Sequence, residues 1–415
     1  MRVISVFFVF AVAFVVHLDS WCHAWSRDDI AVLEQFHFEG ESHIAFGQAM
    51  GARFREKIVA RVQQNLKLQT RLLPFVQTTD AGRAIYDAFL QRHEQVFPEY
   101  VKELRGIAQG SGVPFETIFV QNLSEEFDDA VPADFTLGVG QSHLKTLRCS
   151  DVVLVGGPDA LRIVAHNEDS GASDLNHTAI VTAKIGSSPR FVAYTYLGDL
   201  PTGAFGFNDK GIGFTLNFVQ PTETETGGLG RGFISRDLLM AENADDALRR
   251  ITVPGQASGH NYQLMDFQQG RIWNVEVAAR NRYAVQELLA PASTSEVNAL
   301  FHANQYQLLE ITQPPYQSSI HRLRRYSELR VPQTVNDALR VLGDQHDRQY
   351  PVFHDVLSHE RGDLSGWTLT TIVFDLRNKT AVSYRGNPAR HEREFIWDLE
   401  RLTVHPVADA WQAAD

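Results

Sequence analysis

The spacing of hydrophobic residues changes along this 415-residue chain, and the change divides it into segments. From about Ile44 to Val120 apolar positions recur every three to four residues, the period of one helix face. Phe54, Ile58 and Val62 share a face in the stretch 51–62, which predicts one helix. Val101, Leu104, Ile107 and Ala108 do the same in 99–108, with Pro98 suited to the first turn and Gly110 and Gly112 to the end. Pro114 opens a further short helix through Ile118. Between Glu125 and Leu147 the pattern gives way to Asp128, Asp129, Pro132, Asp134, Gly138 and Gly140. That composition predicts an exposed connection, ending at Arg148.

From Cys149 onward the period is two. Val152–Val155 and Leu161–Ala165 read as strands about a Gly156-Gly157-Pro158-Asp159 turn, and Ala179–Lys184 and Phe191–Tyr196 as a second pair. Gly211–Phe218 is a further strand, and Tyr262–Phe267 and Ile272–Val277 form a hairpin across 268–270. Ile234–Ile251 reads as helix broken near Asn243, and Leu369–Phe374 pairs with Ala381–Tyr384 across a tip at Asn378. Helices first, then many strands with helices inserted, predict an α+β fold with layered antiparallel sheet.

The first residues are of another kind. Arg2 precedes an apolar run, Val3–Val16, which is short for a membrane span and suits a signal peptide. Cys22-His23-Ala24 offers a small-x-small cleavage site before Trp25. The expected organisation is a signal peptide (1–24), a helical segment (25–148) and a sheet-rich segment (149–415), with export into the secretory pathway, extracellular or lysosome-like. No later segment is apolar and long enough to be an integral membrane helix. Sequons at Asn122, Asn176 and Asn378 are candidate glycosylation sites, with the hairpin tip at Asn378 the best placed. The net charge of −12 comes without a run of Lys or Arg, which argues against a nucleic-acid partner.

Chemistry enters with the cysteines. The chain has two, and removal of the signal peptide would leave Cys149 as the sole thiol. A single thiol makes no intramolecular disulfide and no cysteine zinc site, and the histidines show no H-E-x-x-H spacing, so neither a metal nor a cofactor is expected. Cys149 is then an inert core residue, an intermolecular bridge or a nucleophile. A nucleophile needs a base, either a histidine or an amine. Cleavage of Arg148–Cys149 would supply the amine from Cys149 itself, and an α-amine titrates at about 7.7–8.0. The glycine-rich stretch 227–232 lacks the lysine of a phosphate loop and reads as a turn.

The residues around Cys149 resemble the acyl-coenzyme A:6-aminopenicillanic-acid acyltransferase family of the N-terminal nucleophile hydrolases. The resemblance runs from about residue 42 to about 390. Gly47-x-x-x-Gly51 is similar to the family's opening motif, and Glu103 through Val113 to its E-x-x-G-I-A-x-G-x-G-V helix. Asn122 with Glu126, Asn167-Glu168-Asp169, Gly206 through Gly211, and His302-Ala303-Asn304 follow in the family's order. The resemblance implies a four-layer αββα sandwich and two chains from one precursor, cut at Arg148–Cys149. It implies Cys149 as nucleophile, Asp169 orienting its α-ammonium and Asn304 holding the oxyanion. His166 and Asn208 are expected to bind a small acyl-amide substrate, and Asn122 to be a structural amide. The implied reaction is hydrolysis of a small N-acyl amine. The alternatives are acyl transfer to an amine, or an unprocessed secreted binding protein on the same scaffold. The chain departs from the family at Arg148 (usually Gly), Asp151 (commonly Ser or Thr), Ala278 (Ser in the penicillin acyltransferase) and Leu364-Ser365 (there a Ser-Arg clamp). These departures point away from penicillin as substrate.

Overall fold

The computed structural model describes residues 32–135 and 149–407. The expected signal peptide and the Arg148–Cys149 bond lie outside those residues. After strand β1 (Glu34–Gly40) come helices α1 (His43–Arg53), α2 (Arg55–Gln64), α3 (Leu73–Thr78) and α4 (Asp80–Val96). Helices α5 (Pro98–Ser111), α6 (Phe115–Asn122) and α7 (Ser124–Ala130) complete the helical part. Strands β2 (Ser150–Gly156), β3 (Leu161–Ser170), β4 (Thr178–Ile185), β5 (Phe191–Tyr196), β6 (Phe205–Asn208) and β7 (Ile212–Phe218) follow, then helices α8 (Arg231–Leu238) and α9 (Ala244–Ile251). Next are β8 (His260–Asp266), β9 (Arg271–Ala278), β10 (Arg282–Glu287) and β11 (Val297–His302). Helices α10 (Gln317–Glu328), α11 (Val335–Leu342) and α12 (Val356–Glu360) lead to β12 (Trp367–Asp375), β13 (Thr380–Tyr384), β14 (Arg393–Asp398) and β15 (Thr403–Pro406).

Among the described residues these strands form two sheets. One has the order β1-β4-β5-β6-β7-β8-β9-β10 and the other β11-β2-β3-β12-β13-β14-β15. Three cores separate four layers. Side chains of α1–α9 pack on the first sheet through Ala179, Val181, Phe191, Phe214, Leu216, Leu264 and Val275. The alternate residues of the same strands, Ile180, Val192, Phe207 and Met265, meet Val153, Val155 and Val164 of the second sheet. The outer face of that sheet, Val152, Leu154, Ile163 and Ala165, is covered by Ala338, Leu339 and Leu342 of α11 and by Leu323 of α10. This is the expected αββα sandwich, and the strict period of two in β2 and β3 is what sends neighbouring residues to different layers.

Three expectations change. The predicted helix 51–62 is two helices, divided at Phe54, which caps α1 through its N–H on the Met50 carbonyl and buries its ring. The connection expected from Glu125 begins later, because α7 runs to Ala130. Phe127 is wholly buried there, Glu125 faces Arg231 at 3.2 Å and Asp128 bonds Lys67 and Arg71, so the start of the expected connection packs as helix, while Asp134 is exposed as expected. Strand β3 extends past Ala165 to Ser170, which brings five more residues into the sheet opposite β2 and β12. The Asn378 sequon is exposed on the β12–β13 connection, as its sequence suggests. Among the described residues, no helix is long and apolar enough to cross a membrane.

Candidate active site

Alternation builds the site. Asp151 pairs with His166 and Ser150 with Asn167 across the β2–β3 hairpin. Val153 and Val155 point between the sheets, so Cys149 and Asp151, at the same parity, do too. His166 and Glu168 share the parity of Val164. From the facing sheet, Thr215 and Asn217 of β7 alternate with Phe214 and Leu216, and Tyr196 ends β5. One end of the inter-sheet layer is therefore polar where the rest is apolar.

The contacts there are close. The Cys149 thiol donates to Glu168 Oε2 at 3.1 Å, and His166 Nε2 lies 3.1 Å from the same oxygen. The other carboxylate oxygen, Oε1, accepts from the Tyr196 hydroxyl. His166 Nδ1 lies 2.9 Å from Asp151 Oδ1, which also accepts from Thr215 Oγ1 at 2.9 Å, while Asp151 Oδ2 accepts from Asn217 Nδ2 at 2.6 Å. Burial pushes the Cys149 thiol up to about 12, and the neighbouring Glu168 charge adds to it. The thiol therefore rests protonated, donating to Glu168. Burial alone would lower His166, but the Asp151 carboxylate outweighs it and raises the imidazole well above its ordinary range.

Cys149 and Glu168 line a cavity of about 340 Å³ that opens to solvent. Asp169, Asp174 and Asp199 line it as well, with Arg61, Lys67 and Arg231, and the rings of Tyr196, Phe218 and Trp367. The cations are already paired. Arg61 bonds Asp174 at 2.6 Å and Asp199 at 3.0 Å, Lys67 bonds Asp128 at 3.1 Å, and Arg231 bonds Glu125 at 3.2 Å. Glu168 and Asp169 face histidines instead, His166 at 3.1 Å and His354 at 3.7 Å, while the lining lysine and arginines bond other carboxylates.

Asp169 is wholly buried. Its Oδ1 accepts from Thr368 Oγ1 at 2.6 Å, while Oδ2 has no hydrogen-bond partner among the described residues. Burial raises Asp169 to about 6, against the pull of His354 and Arg322. Asn304 sits at the end of β11. Its Nδ2 donates to the Phe218 carbonyl at 2.8 Å, which uses one of two hydrogens, and its Oδ1 accepts from Arg322 at 2.6 Å. Arg322 of α10 also bonds the Cys149 carbonyl at 2.6 Å and Ser150 Oγ at 2.7 Å, so one buried guanidinium ties Asn304 to the start of β2.

The structure thus brings Cys149, Asp169 and, through Arg322, Asn304 together. Two expected substrate contacts fall elsewhere. His166 is wholly buried behind Cys149 and Glu168 and does not line the cavity, because both its nitrogens face carboxylates. Asn208 lies on β6 with its amide spent on the Leu239 and Ala241 carbonyls and its oxygen on the Lys210 and Ile212 amides. It pins a turn and is also absent from the cavity wall. Asn122 does line the cavity, and its oxygen holds the Leu200 amide at 2.8 Å. Sequence reasoning missed the roles of Glu168, Asp151 and Arg322. The hairpin register would have found the first two, since it places Asp151 beside His166; nothing in the local pattern of α10 marks Arg322.

A model of the acyl-coenzyme A:6-aminopenicillanic acid acyl-transferase family matches residues 155–390. A Drosophila melanogaster protein described as β-alanyl-dopamine/carcinine hydrolase is 27% identical over 368 residues, covering 85% of this chain and 92% of that protein. Among solved structures, the Caenorhabditis elegans ortholog of N-acylethanolamine-hydrolyzing acid amidase matches at 11% identity and a TM-score of 0.35, covering 63% of this chain and 100% of the other. Penicillin V acylase from Agrobacterium tumefaciens matches at 11% identity and a TM-score of 0.31, covering 57% and 82%.

Proposed function

We propose that this chain, which belongs to the acyl-coenzyme A:6-aminopenicillanic acid acyl-transferase family, is an amidohydrolase whose nucleophile is the Cys149 thiol. The observation that carries this reading is the position of that thiol. It lies at the wall of a polar cavity, held by Glu168 at 3.1 Å, beside a buried Asp169 with one carboxylate oxygen uncommitted.

The chemistry runs in two stages. In the precursor the Cys149 sulfur attacks the Arg148 carbonyl, the peptide nitrogen leaves as the α-amine, and water opens the thioester. In the mature enzyme that amine takes the thiol proton, and sulfur attacks a substrate amide. Asp169 Oδ2 is the acceptor proposed for the resulting α-ammonium, a role supported by its lack of a hydrogen-bond partner among the described residues, with His354 Nε2 standing 3.7 Å away. The second hydrogen of Asn304 Nδ2 is proposed for the oxyanion, with Arg322 and Phe218 fixing the amide plane. The amine product departs, and water releases the acyl group.

The substrate proposed is a small, polar N-acyl amine bearing a positive charge. The wall near the thiol carries Glu168 and Asp169, the lining cations are engaged elsewhere, and three rings can flank the chain of such a molecule. The name of the Drosophila relative is in keeping with a charged aminoacyl amide. The family's own description favours acyl transfer as the second reading. Passage through the secretory pathway is proposed with it, on the apolar run Val3–Val16.

N-terminal sequencing of purified protein tests the processing step: two chains are expected, the larger beginning Cys-Ser-Asp. An active preparation made only of unbroken chain would sink it. Incubation with a β-alanyl amide, with and without an acceptor amine, tests the chemistry. Free acid in both cases supports hydrolysis, whereas a new amide formed at the expense of acid supports transfer.

A further inference from the structure

Cys149, His166 and Glu168 place a sulfur, an imidazole nitrogen and a carboxylate oxygen within 4.8 Å of one another, all three residues buried. The geometry points to a zinc-binding site made of these three side chains, which takes the nucleophile out of use when occupied. The site itself does not depend on the proposed reaction; its inhibitory effect does.

The donor set suits a borderline-soft divalent ion. Zinc bonds thiolate at about 2.3 Å and imidazole and carboxylate at about 2.0–2.2 Å, so ligand atoms around a tetrahedral ion stand roughly 3.3–3.6 Å apart. Here Glu168 Oε2 is 3.1 Å from Cys149 Sγ and 3.1 Å from His166 Nε2. Spreading these two edges by a few tenths of an ångström, with the sulfur–imidazole edge, within 4.8 Å, adjusting to match, gives the face of a tetrahedron. Thiolate and carboxylate together balance the charge of the ion. Without metal the same gaps are bridged by protons, S–H to oxygen and nitrogen to oxygen, and the ion would replace them.

The surroundings are those of a metal site. Asp151 Oδ1 faces His166 Nδ1 at 2.9 Å, which fixes the ring and turns Nε2 to the other donors. Asp151 is itself held by Thr215 and Asn217, and Glu168 Oε1 by the Tyr196 hydroxyl. Cys149 and Glu168 reach the cavity, so a fourth position can be filled from it by water. In a processed chain the α-amine of Cys149 is the alternative, closing a five-membered ring with its own sulfur. Magnesium and calcium, which prefer all-oxygen shells, fit this set poorly.

Cobalt(II) chloride is the probe, titrated into full-length protein stripped with EDTA and exchanged into metal-free buffer. A near-ultraviolet thiolate-to-cobalt band is expected with one equivalent, displaced by one equivalent of zinc chloride. The band should vanish in Cys149→Ser. Asp151→Asn, which touches the ring but not the ion, should keep the band and lose about 10–100-fold in zinc affinity. Far-ultraviolet circular dichroism checks that each variant folds; should Asp151→Asn fail, Glu168→Gln takes its place and should weaken the band. Zinc should suppress turnover and EDTA restore it. Folded wild-type protein without a thiolate band, or a band unchanged in Cys149→Ser, would overturn the site. Protein that gives the expected cobalt band but, in its metal-free form, hydrolyses nothing would instead overturn the proposed function.

Discussion

At the Cys149 thiol two demands conflict. A buried sulfur beside a carboxylate is hard to ionise, and the thiol is pushed up to about 12. Catalysis therefore needs a base that acts as the bond forms, not a standing thiolate. Replacing Cys149 by alanine should abolish turnover while leaving the fold intact, since the side chain is small and one hydrogen bond is lost. Residual hydrolysis by a folded, homogeneous Cys149→Ala protein would place the nucleophile elsewhere. Asn304 carries a different expectation. Its amide is held on two sides, by Arg322 and by the Phe218 carbonyl, which is the preorganisation an oxyanion donor requires. Asn304→Ala should lower kcat by about 10²–10³ with KM little changed. It also leaves Arg322 short of one acceptor, so the melting temperature will fall somewhat. A fall in melting temperature with kcat unchanged would make Asn304 a purely structural partner of Arg322.

The helical elements owe their placement to glycine. Gly47 and Gly51 on α1 face Gly106 and Gly110 on α5, and each lacks the Cβ that would strike the opposing backbone. A Cβ on Gly47 or Gly106 would fall on the carbonyl oxygen of Glu103 or of Ile44, and one on Gly51 would stand 2.5 Å from the Ile107 carbonyl oxygen. The two helices touch main chain to main chain, and α5 thereby presents Glu103 to Arg236 of α8 in a bidentate pair at 2.6 and 2.9 Å. Gly106→Ala must part the helices, and overpacking of this kind costs typically 1–3 kcal/mol. Thermal unfolding of that variant, with Lys102→Ala as an exposed control on the same helix, checks it; equal melting temperatures would show that the helices yield without cost. The motifs carrying these glycines were readable in the sequence, and so was the period of β2 that sets Asp151 between the sheets; the extension of β3 that adds His166 and Glu168 was not. Other features were not readable. The split at Phe54 follows from tertiary burial of its ring. The inward turn of Glu125 and Glu126 depends on Arg231, more than a hundred positions away in the chain. The pairing of Arg322 with the start of β2 joins elements whose local patterns say nothing of one another.

Over the whole molecule, the helical layer meets the first sheet at a buried polar seam with a pH dependence of its own. Glu125 and Glu126 of α7 lie against Arg231, with His260 and Tyr262 of β8 alongside. Burial would raise Glu125, but Arg231 lowers it, so it is the ionised member of the pair. Glu126 is raised to about 7 by burial and by the charge of Glu125. An unfolded glutamate titrates near 4.3. Between those values the folded chain binds a proton that the unfolded chain does not, so stability from this group falls as pH rises from about 4.5 to 7 and is flat on either side. At 1.36 kcal/mol per pKa unit the change is on the order of 3–4 kcal/mol. His260 works the other way: burial lowers it to about 4, so its contribution is lost as pH falls below about 6.5. The two oppose each other under mild acid, which makes the wild-type curve alone a poor reporter. The difference between wild type and Glu126→Gln isolates the carboxyl. Glutamine can keep the bond that Glu126 Oε1 accepts from the Arg231 amide at 2.7 Å, and it cannot ionise. The variant should match wild type at pH 4.5 and exceed it at pH 8 by roughly 4 °C in melting temperature, with the gain appearing between those limits. A difference constant from pH 4.5 to 8 would mean that Glu126 is ionised in the fold throughout and that the α7 seam is held by charge.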